Sequence, residues 1–505
     1  MTRRGFLKLF GGLGLVGATA TLTGCSSKEP IGGEGWMPQQ YQVASSKYPT
    51  QVRGRIPIDP NNPSIVRDDE KCILCGQCLE VCQNVQTVFG YYELPIIDEI
   101  VCVNCGQCAL WCPTAAITER NDTTRLKEAI EDPDTVVVVQ TAPATRVGLG
   151  EEFGLPAGTF VEGQQIAALR KLGADYVFDT NFAADLTIME ESAELIKRMT
   201  GKSDAPLPQF TSCSPGWVKF CEYYYPDLSE NLSTAKSPMQ MFGSVIKTYF
   251  AKQNNIKPKR IFNAAIMPCT AKKFEISRPE FNSSGHYYKD ETIRDMDAVV
   301  TTRELAWMLK ENGIDLTSLS EEKYDAFAGT GAGLIFGATG GVMEAAVRTA
   351  YFVITKQDVP EGLLNLKKVR GLDGVKEATL PIPGVGDLKI AVVHGLSNAR
   401  KLMEEVRRGE SPYHFVEIMC CPGGCISGGG QPRTALPPSD EVRQARIDSI
   451  YKGDKAQKIR LSHENPEILK LYQEFLKEPL SHLSEELLHT KYTDRGDRLN
   501  ARELV

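Results

Sequence analysis

Two cysteine runs with the same spacing constrain this chain more than any other feature. "CILCGQCLEVC" carries Cys72, Cys75, Cys78 and Cys82, and "CVNCGQCALWCP" carries Cys102, Cys105, Cys108 and Cys112, both as C-x2-C-x2-C-x3-C. A loop this tight points three thiolates at one iron-sulfur cube, and the fourth cysteine reaches the cube held by the other run. Chance does not place the pattern twice within one chain. A structural zinc site needs only four ligands and has no use for the triple spacing. The spacing therefore predicts two [4Fe-4S] clusters within residues 66–120.

Bacterial ferredoxins carry this run, so residues 66–120 are expected to form a ferredoxin-like α+β domain. Pro113 follows the last cysteine as in that pattern; Gln83 stands there in the first copy, which leaves the ligands intact. Fifteen cysteines in 505 residues also raise the question of disulfides. Disulfide scaffolds belong to small domains without a core, and a chain of this length with 42% hydrophobic residues buries several cores without them. The net charge of -7 argues against nucleic acid, which selects basic surfaces.

Residues 1–25 read as a processing segment. Arg3 and Arg4 precede an apolar stretch, Leu9 to Gly24, too short to span a bilayer but suited to a signal h-region. The pair reads as a twin-arginine signal. "LTGC", ending at Cys25, resembles the bacterial lipobox, where cleavage leaves a lipid-modified cysteine; a soluble exported protein cut nearby is the alternative. The expectation is export to the periplasm or the outer face of the cytoplasmic membrane, with cofactors inserted first. Residues 26–65, rich in Pro, Gly and Ser, read as a linker.

From about 125 to 440, short apolar runs alternate with longer helical patterns, the texture of an α/β domain. Strands are expected at 135–140, 260–267, 388–395 and 414–419. In parallel sheets, ligands sit beyond the carboxyl ends of the strands. There the loops "TSCSPGW", "PCTAKKFE" and "CCPGGCISGGGQP" offer Cys213, Cys269, Cys421 and Cys425. Four thiolates from three loops suit one further cube.

These loops resemble the signature loops of the iron-only, or [FeFe], hydrogenases, with the likeness running over about residues 66–490. The resemblance implies two small parallel sheets flanked by helices, with an H-cluster between them. That cofactor is a [4Fe-4S] cube bridged through one cysteine to a diiron unit with CO, CN and azadithiolate ligands. It implies that Cys269, Cys421 and Cys425 bind the cube, Cys425 being the bridge. It also implies that Lys272 holds one cyanide, that Pro143 lies beside the other, and that Met267 and Met419 line the diiron pocket. An ammonium at Lys272 neutralises an anionic ligand and donates hydrogen bonds to it.

"TIMEESAELIKR" places Glu191, Glu194 and Arg198 on one helical face. Read alone, that is a solvated face with an ion pair; the resemblance implies a proton relay joined by Ser233. The family's usual loop has two adjacent cysteines, a proton donor and then a cube ligand, whereas this chain has Cys213 followed by Ser214. In strict register Cys213 donates protons and Ser214 faces the cube, although a hydroxyl ionises far less readily than a thiol. Alternatively Cys213 binds the cube and Ser214 or a water carries the proton. We expect the second, because a thiolate gains more beside iron than a relay does. Cys221 and Cys420 read as buried thiols, with Cys420 a reserve ligand.

The glycine-rich 329–346 lacks a G-x-G-x-x-G after a strand and a Walker lysine, so it reads as close packing. The six histidines form no zinc pair. Residues 441–505 are helical and charged, with Ser462 a candidate N-cap, and resemble a segment that some periplasmic family members carry as a small subunit. The expected activity is reversible oxidation of H2, running toward uptake. Two cubes would wire the site to an external cytochrome or ferredoxin, and maturation proteins would supply the diiron unit. The alternative is an iron-sulfur electron carrier or H2 sensor without a working diiron site.

Overall fold

The computed structural model describes residues 54–91, 100–433 and 438–499. Everything below concerns the unit Arg55–Val505. The expected signal at 1–25, Cys25 and most of the expected linker lie outside the described residues. Among the described residues no helix is long and apolar enough to cross a membrane.

The two cysteine runs lie between β1 (Ile65–Arg67) and β2 (Ile117–Glu119), which pair antiparallel with Ile65 opposite Glu119. Each run turns into a short helix, Gln77–Glu80 or Gln107–Leu110, behind a left-handed glycine, Gly76 or Gly106. Residues 55–64, read as linker from composition, are packed instead. Ile56 and Ser64 are buried, and the Ile56 N–H donates to Cys78 Sγ at 3.4 Å. This Pro-rich stretch packs here against the first cysteine run.

The first large sheet is fully parallel, ordered β4 (Tyr176–Asp179), β3 (Val136–Thr141), β6 (Ile261–Met267), β7 (Ala298–Thr301). Its central strand "VVVVQT" is buried on both faces, as a parallel sheet requires. Val137 and Val139 join the core with Ile166 and Leu309, and Val138 the core with Phe178, Phe242 and Phe250. Each such side chain contributes about 1.5–3 kcal/mol.

The second sheet differs from the expected parallel one. Its order is β5 (Gln209–Phe210), β10 (Phe415–Met419), β9 (Gly386–His394), β8 (Val375–Ile382); the first three are parallel, and β8 pairs antiparallel with β9. The β8 side chains alternate exposed and buried, the pattern of an edge strand with one wet face. All four expected strands are present, within a residue or two of their expected bounds.

The glycine-rich stretch packs against the helix Thr180–Met199. A Cβ on Gly329 would sit 2.2 Å from Asn181 Cβ, and one on Gly333 2.3 Å from the Asn181 carbonyl oxygen. The C-terminal segment forms the helices Asp440–Ala456, Pro466–Leu471 and His482–Leu488. Ser462 is not the N-cap of the middle one: Asn465 accepts from the Glu467 N–H, and Ser462 Oγ donates to the buried carboxylate of Asp185 at 2.7 Å.

Candidate active site

The carboxyl ends of β3, β5, β6 and β10 carry the expected loops to one place. Beyond Phe210 come Cys213 and Ser214, beyond Met267 comes Cys269, and beyond Met419 come Cys420, Cys421 and Cys425. Two adjoining cavities result. One is lined by Cys213, Ser214, Cys269, Cys420, Cys421 and Cys425. The other is walled by Pro143, Met239, Met267, Phe336 and Met419 with Cys213, Cys269 and Cys425. Cys213, Cys269, Lys272, Met419 and Cys425 face both.

The donor chemistry fits an iron-sulfur core. Burial pushes the Cys425 thiol up to about 12 and Cys269 well above its ordinary value, and the nearby Cys421 raises both. Such thiols ionise only against a cationic core. Among the described residues no group of three or more His, Cys, Asp or Glu closes on a single ion; the cysteines instead line a wall, as a four-iron core requires. Backbone crowding leaves no room for a Cβ at Gly428, where it would fall 2.2 Å from the Pro268 carbonyl oxygen.

Lys272 projects from the short helix Ala271–Glu275 into the shared wall. Its Nζ donates to Glu275 Oε2 at 2.9 Å and to the Cys213 carbonyl at 3.2 Å. Glu275, which the sequence reading left without a role, also accepts from Ser237 Oγ at 3.0 Å. Its signal was its place three residues after Lys272 on one helical turn.

Glu191, Glu194 and Arg198 share the helix Thr180–Met199 and are buried rather than solvated. Ser233 Oγ donates to Glu194 Oε2 at 2.8 Å and lies near enough to Glu191 to offset part of the rise that burial causes there. Burial pushes Glu191 up to about 8, with the Glu194 charge adding to it. Arg198 donates to Glu194 at 2.6 Å and to the carbonyls of Glu230, Asn231 and Leu232, fixing the loop before Ser233. At its outer end Glu194 borders a surface cleft with Lys197, His489 and Tyr492. At the inner end Glu191 is near enough to Cys213 for its charge to raise that thiol, after burial itself. Tyr492 and His489, from the C-terminal segment, enclose the chain: the Tyr492 hydroxyl bonds the Ser233 carbonyl, and His489 Nδ1 lies 2.8 Å from Thr234 Oγ1. Sequence reasoning missed both, for they lie about 250 residues from Ser233.

The thiols of the two runs lie close enough to feel one another's charge. Cys78 feels the charges of Cys72, Cys75 and Cys112, and Cys82 those of Cys105 and Cys102; burial is the larger cause for each, pushing Cys78 up to about 11 and Cys82 well above its ordinary value. Asn62 Nδ2 and the Asn104 N–H donate to Cys102 Sγ at 3.5 and 3.3 Å. Gln107, beside Cys108, reaches across to donate to Cys421 Sγ at 3.2 Å.

Comparison with known proteins agrees with this geometry. The family model described as the iron only hydrogenase large subunit, C-terminal domain, matches residues 135–429, and that of the iron hydrogenase small subunit matches residues 440–495. The chain is 46% identical over 453 residues to the NADP-reducing hydrogenase subunit HndD of Solidesulfovibrio fructosivorans, covering 86% of this chain and 75% of that one. It is 45% identical over 404 residues to the periplasmic [Fe] hydrogenase large subunit of Nitratidesulfovibrio vulgaris, covering 79% and 93% respectively. A solved structure of an [FeFe]-hydrogenase from Chlamydomonas reinhardtii, a glutamate-to-alanine variant, aligns with a TM-score of 0.66 at 41% identity, covering 74% of this chain and 99% of that one.

Proposed function

The chain belongs to the iron-only hydrogenase family, and from that premise we infer how its residues divide the work. It is an oxidoreductase that interconverts H2 with protons and electrons at an H-cluster. When bound, that cofactor supplies the metal chemistry of making and breaking H2. The adjoining cavities, one rich in thiols and one apolar with an ammonium, carry the assignment of residues.

Cys269, Cys421 and Cys425 hold the cube, with Cys425 on the wall shared with the diiron cavity. Lys272, held in place by Glu275, would donate to the anionic ligands of the diiron unit. Met267, Met419 and Pro143 keep water from it. Protons pass between Cys213 and the surface cleft by way of Glu191, Ser233 and Glu194, while Arg198 positions Glu194. The Ser233 hydroxyl between two carboxylates supports this order, since it can donate to one and accept from the other.

Cys72, Cys75, Cys78 and Cys112 would hold one ferredoxin-type cube and Cys102, Cys105, Cys108 and Cys82 the other, and the two would supply electron transfer to the site. The closeness of Cys112 to Cys78, and of Cys102 and Cys105 to Cys82, supports this pairing. The exposure of Cys75 supports the first cube as the one nearer an external cytochrome or ferredoxin. The N-terminal motif at Arg3 and Arg4 supports export by the twin-arginine route and Cys25 a lipid anchor; a periplasmic site favours H2 uptake. Maturation proteins supply the diiron unit before export.

The test is hydrogen-deuterium exchange by the anaerobically matured chain in D2O under H2, which needs no electron partner. HD release that disappears without maturation is expected. No HD from protein whose maturation machinery activates a control hydrogenase contradicts the reading.

A further inference from the structure

One cysteine is missing from the loop 211–217, where serine follows Cys213, and the loop after β10 has two adjacent cysteines, Cys420 and Cys421. The structure brings these two departures together. The Cys420 N–H donates to Ser214 Oγ at 3.2 Å, so the serine is occupied by the very residue that carries the additional thiol. Both residues line the thiol-rich cavity and neither lines the apolar one. Cys213, by contrast, faces both cavities and lies beside Lys272 and Glu191, at the inner end of the relay.

We propose that Cys420 is the fourth ligand of the H-cluster cube, standing in for the thiol absent at Ser214, and that Cys213 is thereby left free to carry the proton. The inference rests on the hydrogenase reading above. A [4Fe-4S] cube takes four thiolates, and Cys269, Cys421 and Cys425 supply three. Ser214 is a poor fourth, because a hydroxyl gives up its proton far less readily than a thiol. The Cys420 side chain is buried and lines the thiol-rich cavity together with Cys421 and Cys105, and its Sγ donates to Gln86 Oε1 at 3.6 Å. Cys105 belongs to a ferredoxin-type set that is complete without Cys420. Room for the sulfur is also built in: a Cβ on Gly216 would fall 2.8 Å from Cys420 Sγ, so the helix that begins at Pro215 keeps a glycine where it meets that side chain. The preference for Cys213 as cube ligand, drawn from the sequence, gives way because it would take the thiol from a position that faces the apolar cavity and lies beside Glu191 of the relay.

The test uses the full chain made without diiron maturation and reconstituted anaerobically with ferrous iron and sulfide. Iron and sulfide content and the EPR spectrum of the reduced protein are read for the wild type, Cys420→Ala, Cys213→Ala and the double variant Ser214→Cys with Cys420→Ala. Expected are loss of one cube's iron and signal in Cys420→Ala, retention in Cys213→Ala, and recovery in the double variant, which separates ligand loss from misfolding. The proposal is overturned if Cys420→Ala keeps every cube, if Cys213→Ala loses one, or if the double variant fails to recover it. A wild type that holds only the two ferredoxin-type cubes contradicts the underlying hydrogenase reading, a result distinct from these.

Discussion

Gln107 Nε2 donates to Cys421 Sγ at 3.2 Å and to the Ser427 carbonyl at 2.8 Å, tying the second cysteine run to the loop of the catalytic cube. A donor on a thiolate favours the more negative, reduced state of the cluster. Gln107→Leu should therefore lower the reduction potential of that cube. One hydrogen bond of about 0.5–1.5 kcal/mol corresponds to roughly 20–60 mV for one electron. Redox titration followed by EPR measures the shift, and an unchanged potential would show that this bond does no tuning.

Ser233 joins Glu191 and Glu194 into one path, so Ser233→Ala and Glu194→Gln should each slow turnover by about 100-fold or more, the range for a positioned proton-transfer group. The EPR signals of the cubes should stay as in the wild type. H2 evolution with a reduced artificial donor reads the loss. Equal loss of cube signal would assign both residues to structure instead.

Glu191 titrates near 8 in the fold because it is buried beside Glu194, against an ordinary value of 4.5. A raised value means that the folded protein binds the proton more tightly than the unfolded chain, so the stability from a neutral Glu191 is full below about 4.5 and is lost as pH rises through about 8. Glu191→Gln, neutral at every pH, should gain in thermal stability relative to the wild type between about pH 5 and pH 9. Turnover of the wild type should also fall on the alkaline side of about 8, a limb the slower variant lacks. Parallel melting curves at the two extremes would contradict this account.

The cysteine spacing, the four core strands and the convergence of their loops were legible because each rests on local pattern: ligand geometry in a tight loop, and apolar runs that end in cysteine or proline. The burial of Glu191, Glu194 and Arg198 was not. A helix with this composition reads as wet, and what covers it is the loop before Ser233 together with Tyr492 and His489 from the far end of the chain. β8 escaped notice for a similar reason, since "VKEATLPI" mixes charges with Pro381 and belongs to a sheet only as its edge. Cys420 read as a buried thiol and a ligand only in reserve until the fold set it against Ser214.

Lys272 is the cation of the shared wall, so Lys272→Ala should weaken retention of the diiron unit by about 10- to 100-fold, the value of one charge-assisted hydrogen bond. The metal-bound CO and CN infrared bands should weaken in proportion, with the cubes retained. Because the change also strands Glu275, the double variant with Glu275→Gln should fold better yet recover no bands. Full retention in Lys272→Ala would remove the lysine from the site.

Arg348 joins the C-terminal segment to the catalytic domain. It is fully buried, pairs with Glu344 at 2.7 Å and Asp454 at 3.1 Å, and donates to the Arg460 carbonyl at 2.9 Å. After Arg348→Ala, Glu344 still pairs with Arg370 and Asp454 with Arg460, so what is lost is the charge-assisted hydrogen bonding of Arg348, at a cost of about 1.5–3 kcal/mol. A thermal transition lowered by several degrees is expected by calorimetry, with no change in the infrared bands of the surviving folded protein. An unchanged transition would mean that the segment is held by its apolar contacts alone.

The most direct test of the central claim is the infrared spectrum of the anaerobically matured protein, first under inert gas and then under H2. Bands of metal-bound CO and CN that shift on adding H2 are predicted, for they report a working H-cluster in the paired cavities. Their absence, with iron-sulfur cubes intact and maturation verified on a control hydrogenase, would contradict the account.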